Sequence, residues 1–187
     1  MNTPGSRSES GFRFVGEREI HDGFVIRLVE GEFETPDGET MLRDIVRHPG
    51  AVGVVAVDGD DTILVRQYRA PIHAEILEIP AGRRDVEGEP PELTAARELA
   101  EEVGLRAGSM VALGGFYNSV GFSDEYIHLF LATDLSPVST DHDGPEEAHM
   151  TIQRMALADV NTAIADGTIS DAKTVIGLLA AVRHLHR

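Results

Sequence analysis

The sequence contains no cysteine and no tryptophan, and aromatic residues make up only 5% of its 187 residues. Without cysteine the chain cannot form disulfides, thiolate metal sites or a cysteine nucleophile. Positive charge is also scarce, since 16 Lys and Arg residues stand against 32 Asp and Glu residues and leave a formal net charge of −16. That charge disfavours nucleic acid and anionic membranes as partners, and an anionic substrate would need bridging cations.

Long hydrophobic runs are missing as well. The longest apolar stretches, 51–57 and 175–182, fall well below the roughly 20 residues that a membrane span requires. Residues 1–11 are rich in Ser, Gly and charge and lack the apolar core of a signal peptide, so they predict a disordered N-terminal tail. We therefore expect a cytoplasmic protein with no membrane partner.

Extended patterns come first along the chain. An alternating stretch with a Thr-Pro-Asp-Gly turn at 35–38 predicts an antiparallel β meander over residues 12–48. β-branched runs at 52–57 and 62–68 predict a hairpin in the following domain, residues 49–187. Helices are predicted at 92–103, 157–165 and 171–186, and this order indicates a mixed α/β (α+β) fold.

Carboxylates gather along the predicted helix 92–103. At roughly 100° per residue, Glu98, Glu101 and Glu102 lie within about 100° of arc. The opposite, core-facing side is predicted to hold Ala95, Ala96, Leu99, Ala100 and Val103. Like charges at this spacing repel, and oxygen ligands select a hard ion such as Mg²⁺ or Mn²⁺. A solvated acidic face is the alternative interpretation of this helix when it is taken alone.

The residues around this helix resemble the Nudix box. The run Arg97-Glu98-Leu99-Ala100-Glu101-Glu102-Val103-Gly104-Leu105 matches the second half of the box, and Gly82 and Glu89 supply the first half. Seven residues separate Glu89 from Arg97, as in the family pattern. Six residues instead of five separate Gly82 from Glu89, which we interpret as a tolerated loop insertion. The resemblance implies a Nudix fold, with a mixed β-sheet sandwiched between helices.

The same resemblance implies metal-dependent hydrolysis of a diphosphate bond. Glu98 and Glu102 would be the principal metal ligands and catalytic residues, with Glu101 as an additional ligand. The carbonyl of Ala81 would complete the ligand set, and Arg97 would hold a glutamate in place. Bound cations would neutralise the diphosphate and acidify the attacking water.

Three further segments resemble bacterial ADP-ribose pyrophosphatases of the actinobacterial type, namely 66–69 (Arg-Gln-Tyr-Arg), 77–82 (Leu-Glu-Ile-Pro-Ala-Gly) and 121–125 (Gly-Phe-Ser-Asp-Glu). This resemblance implies hydrolysis of ADP-ribose to AMP and ribose 5-phosphate by a homodimer that exchanges its N-terminal strands. One departure is Val120, where those enzymes usually carry proline. Another nucleoside diphosphate sugar such as GDP-mannose therefore stays open as substrate, and a non-catalytic nucleotide-sensing regulator is the alternative from a different class.

Charged residues near these segments are candidates for substrate binding. Arg69 first, and then Arg66, could donate charge-assisted hydrogen bonds to a diphosphate, with surface ion pairing as the alternative. Glu78 and Glu125 could accept hydrogen bonds from ribose hydroxyls or hold Arg69, with a solvated or structural salt-bridge role as the alternative.

The resemblance also places a water-activating glutamate in the loop 141–150. We assign this role to Glu147 in preference to its neighbour Glu146. Taken alone, either residue is an ordinary exposed acidic side chain.

Overall fold

The computed structural model describes residues 3–139 and 149–186. The chain divides into two compact units. The N-terminal unit consists of Met1–Gly50 and Tyr117–Glu125, and the main unit consists of Ala51–Phe116 and Tyr126–Arg187. Among the described residues, none of the helices is long and apolar enough to cross a membrane.

The N-terminal unit contains the predicted antiparallel meander. Its described strands are β1 (Arg13–Asp22), β2 (Arg27–Glu34) and β3 (Thr40–Arg47), paired in that order. The predicted turn at 35–38 joins β2 to β3, with Gly38 at a φ of 87° that favours glycine. Phe14 is buried on this sheet and packs against Phe33 with ring centroids 5.3 Å apart. The prediction of a meander is therefore confirmed.

Residues 3–11 differ from the disordered tail that their composition predicted. The backbone N–H of Gly5 donates to the carbonyl of Phe14 at 2.8 Å, and the N–H of Phe14 donates to the carbonyl of Ser6 at 3.0 Å. Gly5 and Gly11 both have a φ of 90°, which lets the chain reverse direction without steric cost. The Ser and Gly content here therefore encodes tight turns against β1.

The described part of the main unit is built on seven strands. They are β4 (Ala51–Asp58), β5 (Asp61–Arg69), β6 (Ala74–Glu78), β7 (Ala81–Arg83), β8 (Leu105–Tyr117), β9 (Tyr126–Pro137) and β10 (Thr151–Ala156). The order is β10-β5-β4-β9-β8, with β6 paired to β5 and β7 paired to β4. Because β4 runs parallel to β9 and antiparallel to β5 and β7, the sheet is mixed, as predicted.

Helices cover both faces of this sheet. They are α1 (Pro91–Val103), α2 (Val160–Ala165) and α3 (Ala172–Leu185), and short 3-10 turns lie at Ala70–Ile72 and Leu157–Asp159. Side chains alternate along β4, so Val54 packs with α1 residues such as Leu99 and Val55 packs with α3 residues such as Leu178. All four are fully buried, and each contributes about 1.5–3 kcal/mol through burial.

The ends of α1 follow from local sequence signals, but its buried face differs from the prediction. Pro91 occupies the first turn, and Gly104 caps the end with a φ of 64°. Ala96, predicted to face the core, is exposed, whereas Glu102 is only 5% exposed. The buried stripe is centred on Ala95 and Leu99, so its edge includes Glu102 and leaves Ala96 in solvent.

Candidate active site

Two carboxylates of α1 lie against the backbone of β7. Glu102 Oε2 accepts a hydrogen bond from the N–H of Ala81 at 2.9 Å. The Glu98 carboxylate is packed so closely on Gly82 that a Cβ atom at position 82 would overlap it. Glycine at this position therefore provides the space that the carboxylate fills. The structure thus brings together Ala81, Glu98 and Glu102, three of the residues predicted to hold metal.

Arg97 is surrounded by acidic side chains, and we call this group the Arg97 cluster. Its Nη1 lies 2.9 Å from Glu98 Oε1 and 2.9 Å from Glu101 Oε2, and its Nη2 lies 3.5 Å from carboxylate oxygens of both Asp85 and Glu89. One guanidinium therefore faces four carboxylates, which leaves an excess of negative charge. Arg97 fixes Glu101 through an i,i+4 pair, and Glu101 joins the site at its more exposed side.

The electrostatics of the Arg97 cluster favour a bound cation. Burial raises the pKa of Glu98 to about 7, since the attraction of Arg97 only partly offsets desolvation and the neighbouring Glu101 and Asp85 add repulsion. A divalent ion would stabilise the ionised carboxylate and relieve that repulsion. The donors are oxygens only, which suits Mg²⁺ or Mn²⁺.

The carboxylates do not form a closed cage. Within residues 3–139 and 149–186, no three His, Asp or Glu side chains are grouped tightly enough to enclose an ion. Glu98 and Glu101 are turned toward Arg97, and Glu102 is turned toward the Ala81 backbone. Metal binding at this site therefore requires these side chains to exchange an internal partner for the ion.

A second charged group of the main unit contains Arg69 and Glu78, and we call it the Glu78 cluster. Arg69 donates from Nε to Glu78 Oε1 at 2.6 Å and from Nη2 to Oε2 at 2.7 Å. Lys173 Nζ also contacts Glu78 Oε2, and it lies 3.0 Å from Asp171 Oδ2. Glu78 has no exposed surface. The cluster as a whole contains two cations and two carboxylates, so its charges balance.

The Glu78 cluster lies close to the carboxylates of α1. The hydrogen bonds to Glu78 hold the pKa of Arg69 above its ordinary value, and Glu102 adds to that shift by its charge. Glu78 was considered either as a ribose ligand or as a partner of Arg69. The structure shows the contact with Arg69.

The remaining predicted site residues are distributed differently. Arg66 is half-buried on β5, between Leu77 of β6 and Thr151 of β10 in the strand register. Glu125 belongs to the N-terminal unit, where its Oε2 accepts a hydrogen bond from Asn118 Nδ2 at 2.8 Å. The predicted base, Glu147, and the alternative, Glu146, lie outside the described residues.

The segment 121–125 is anchored within the N-terminal unit. Val46 N–H donates to the carbonyl of Phe122 at 2.7 Å, and Arg47 Nη1 donates to Asp124 Oδ2 at 2.9 Å. Beside this segment is an open cavity of about 290 Å³ whose walls include Phe33, Met41 and Phe122. The cavity belongs to the N-terminal unit, whereas both charged clusters belong to the main unit.

Sequence reasoning missed Asp85, Asp171 and Lys173. An Asp at position 171 before a predicted helix is a recognisable capping signal, and its Oδ2 indeed accepts from Thr174 N–H at 3.0 Å. Lys173 gives no such signal, because its partner Glu78 lies 95 residues earlier in the chain. Only the packing of α3 against the sheet brings them together.

Comparisons with known proteins identify the family and the fold of this chain. The profile of the NUDIX domain matches residues 47–176. An ADP-ribose pyrophosphatase of Bacillus subtilis is 39% identical over 165 residues, covering 88% of this chain and 89% of its own length. An ADP-ribose pyrophosphatase of Mycobacterium tuberculosis is 38% identical over 174 residues, covering 92% and 84%. A solved structure described as an ADP compounds hydrolase has a TM-score of 0.83 over 97% of both chains at 23% identity, which shows the fold.

Proposed function

The chain belongs to the Nudix family and is a Nudix pyrophosphatase, and from that premise we propose that it hydrolyses ADP-ribose to AMP and ribose 5-phosphate. The observation that carries the proposal is the placement of Glu98 and Glu102 against the backbone of β7. A solvated acidic face would leave both carboxylates in water, whereas here they are largely buried on one strand.

Mg²⁺ or Mn²⁺ is the proposed cofactor. Glu98 and Glu102 would hold it as principal ligands, with Glu101 and the carbonyl of Ala81 as further ligands. When bound, the ion would neutralise charge on the diphosphate and lower the pKa of the attacking water. Arg97 orients Glu98 and Glu101 through its two contacts at 2.9 Å.

Arg69 is the proposed diphosphate ligand of the chain itself. Its Nε and Nη2 are committed to Glu78, while its Nη1 makes no hydrogen bond to any residue that the structure describes. The side chain is 39% exposed, so it can approach a phosphate oxygen from solvent. Arg66, Glu78 and Glu125 complete the proposed set of substrate-binding residues.

Glu147 is the proposed base that activates or orients water, on the strength of the family resemblance. Replacing it with Gln removes the carboxylate with little change of shape. We expect Glu147→Gln to lower kcat by about 10²-fold or more, the usual range for a general base. Glu146→Gln is the matched control, and a larger loss there would transfer the role to Glu146.

Residues 49–187 are the proposed catalytic domain, and residues 12–48 are the proposed dimerisation segment of a cytoplasmic homodimer. Exposed apolar side chains on the meander support this, since Ile20 is 46% and Leu42 is 51% exposed. Light scattering of the full chain should give twice the monomer mass, and Leu42→Asp should reduce it. A monomeric wild-type chain would contradict the dimer.

Product analysis tests the proposed reaction. The purified protein is incubated with ADP-ribose and Mg²⁺ or Mn²⁺, and the products are separated by ion-exchange chromatography. We expect AMP and ribose 5-phosphate, with no product after chelation by EDTA or in a Glu98→Gln variant. ADP-ribose left intact with both metals would overturn the proposal. GDP-mannose belongs in the same panel, because faster cleavage of it would establish the alternative substrate.

A further inference from the structure

The chain contains a single lysine among its 16 basic residues, and that lysine is almost buried. Lys173 lies in the first turn of α3 with only 11% of its side chain exposed. Its Nζ contacts two carboxylates, Glu78 and Asp171, which account for two of its three N–H groups. The role of Lys173 therefore depends on what Glu78 and Asp171 do.

Glu78 depends on Lys173 because the carboxylate is wholly removed from water. Oε1 accepts from Arg69 Nε, and Oε2 accepts from both Arg69 Nη2 and Lys173 Nζ. A buried carboxylate is stable as an anion only when its oxygens are paired, and two cations here satisfy them. Lys173 therefore adds a second positive charge beside Glu78, in addition to that of Arg69.

Lys173 is itself held in place by a closed ring of contacts. Asp171 Oδ2 accepts from Lys173 Nζ at 3.0 Å and from Thr174 Oγ1 at 2.6 Å. Thr174 Oγ1 accepts in turn from the N–H of Ile79 at 2.9 Å, and Ile79 follows Glu78 in the chain. The start of α3 is thus tied to the end of β6 through both the side chain and the backbone.

We infer that Lys173 is a positioning residue for substrate binding, which holds Glu78 so that Arg69 presents its remaining N–H groups to the diphosphate. The inference rests on the proposed function, specifically on the contact between Arg69 and the diphosphate. Bidentate pairing fixes the plane of the guanidinium, because two parallel N–H···O bonds leave it little rotational freedom. That plane stays fixed only while Glu78 itself cannot move.

The test is a double-mutant cycle on the full chain with Lys173→Met and Arg69→Met. Met keeps much of the aliphatic stem and removes the charge. Lys173→Met should raise KM for ADP-ribose about tenfold, the usual scale for a residue that orients a ligand-binding group, and change kcat by less than about threefold. In the Arg69→Met background the same substitution should leave KM unchanged, because Lys173 acts through Arg69.

Several outcomes would overturn the inference. An unchanged KM with only a lower Tm would mean that Lys173 serves stability alone. Equal increases of KM in both backgrounds would mean that Lys173 acts on binding independently of Arg69. Arg183→Met on the exposed face of the same helix is the matched control and should leave KM unchanged.

A second variant keeps the test decisive if Lys173→Met does not fold. Glu78→Gln combined with Lys173→Met removes one charge of each sign, so that Arg69 and Asp171 remain and the cluster stays neutral overall. KM should stay raised in this protein, because Arg69 has lost its bidentate partner. A return of KM to the wild-type value would refute positioning.

Failure of the proposed function is distinguishable from failure of this inference. If the wild-type chain cleaves another nucleoside diphosphate sugar instead of ADP-ribose, the proposed substrate is wrong, and the cycle is measured with the substrate that is cleaved. A wild-type chain inactive on the whole panel overturns the proposed function, and the inference fails with it.

Discussion

The Arg97 cluster and the Glu78 cluster use the same side-chain chemistry with opposite charge balance. In the Arg97 cluster one guanidinium faces the four carboxylates of Asp85, Glu89, Glu98 and Glu101, so one positive and four negative charges leave a formal charge of −3. In the Glu78 cluster, two cations and two carboxylates cancel. Both clusters lie in the main unit.

The Arg97 cluster therefore has an excess of negative charge that a cation could neutralise, whereas the Glu78 cluster is already neutral. Burial raises the pKa of Glu98 to about 7, so its surroundings disfavour the ionised carboxylate, and nearby positive charge would favour it. Asp171 is the opposite case, because Lys173 and Thr174 outweigh burial and hold its pKa below the ordinary value. In a chain of net charge −16, this charge imbalance distinguishes the proposed metal-binding cluster from the balanced Glu78 cluster.

The largest expected effect is that of Glu102→Gln in the carboxylate pair of α1. Glutamine keeps the shape and can still accept the hydrogen bond from Ala81, but it is a far weaker ligand for a divalent ion. We expect kcat to fall at least about a hundredfold with little change in Tm. Steady-state kinetics at saturating Mn²⁺ measure the effect. Glu92→Gln, in the exposed first turn of α1, is the matched control and should behave like the wild type.

A steric change at β7 should have the next largest effect. In Gly82→Ala the new methyl group would occupy the place of the Glu98 carboxylate and displace it, while the flexible end of the glutamate lets the fold persist. We expect a loss of activity of about ten- to a hundredfold. Gly16→Ala, which meets open space on β1, is the control. Full activity of Gly82→Ala would mean that the position of Glu98 is not critical.

Glu101→Gln should have a smaller effect than either. Its side chain is 35% exposed and is held by Arg97 on the solvent side of the cluster, so it contributes less to a desolvated ion site. We expect kcat to change less than about tenfold, with a higher Mn²⁺ concentration needed for half-maximal activity. A metal titration of activity checks this. An effect equal to that of Glu102→Gln would contradict the ranking.

What the sequence predicts well is local, and what it misses is long-range. Pro91 and Gly104 mark the ends of α1 because prolines favour the first helical turn and only glycine readily adopts the left-handed cap. The burial of Glu102 could not be read from helical periodicity, since it depends on β7 lying beside that edge of the helix. Lys173 was missed for the same reason, because α3 meets Glu78 only through the tertiary fold. The predicted set of metal ligands came from the resemblance to the Nudix box, because the residues alone were also consistent with a solvated acidic face.

The smallest expected effect concerns the balanced cluster, where Asp171→Asn should reduce stability and leave the metal-dependent step unchanged. Burial alone would raise the pKa of Asp171, but Lys173 and Thr174 lower it below the ordinary value of 3.8. A lowered native pKa means that the ionised group stabilises the fold above pH 3.8, and that this contribution is lost as the pH falls through the native pKa.

Asparagine caps helices equally well, so the substitution Asp171→Asn isolates the charge. At pH 7 we expect a loss of about 1 kcal/mol in urea unfolding, the scale of a partly exposed ion pair, and in acid no difference from the wild type. An equal deficit at both pH values would show that the loss does not come from the charge of Asp171 and that charge balance does not set the stability of this cluster.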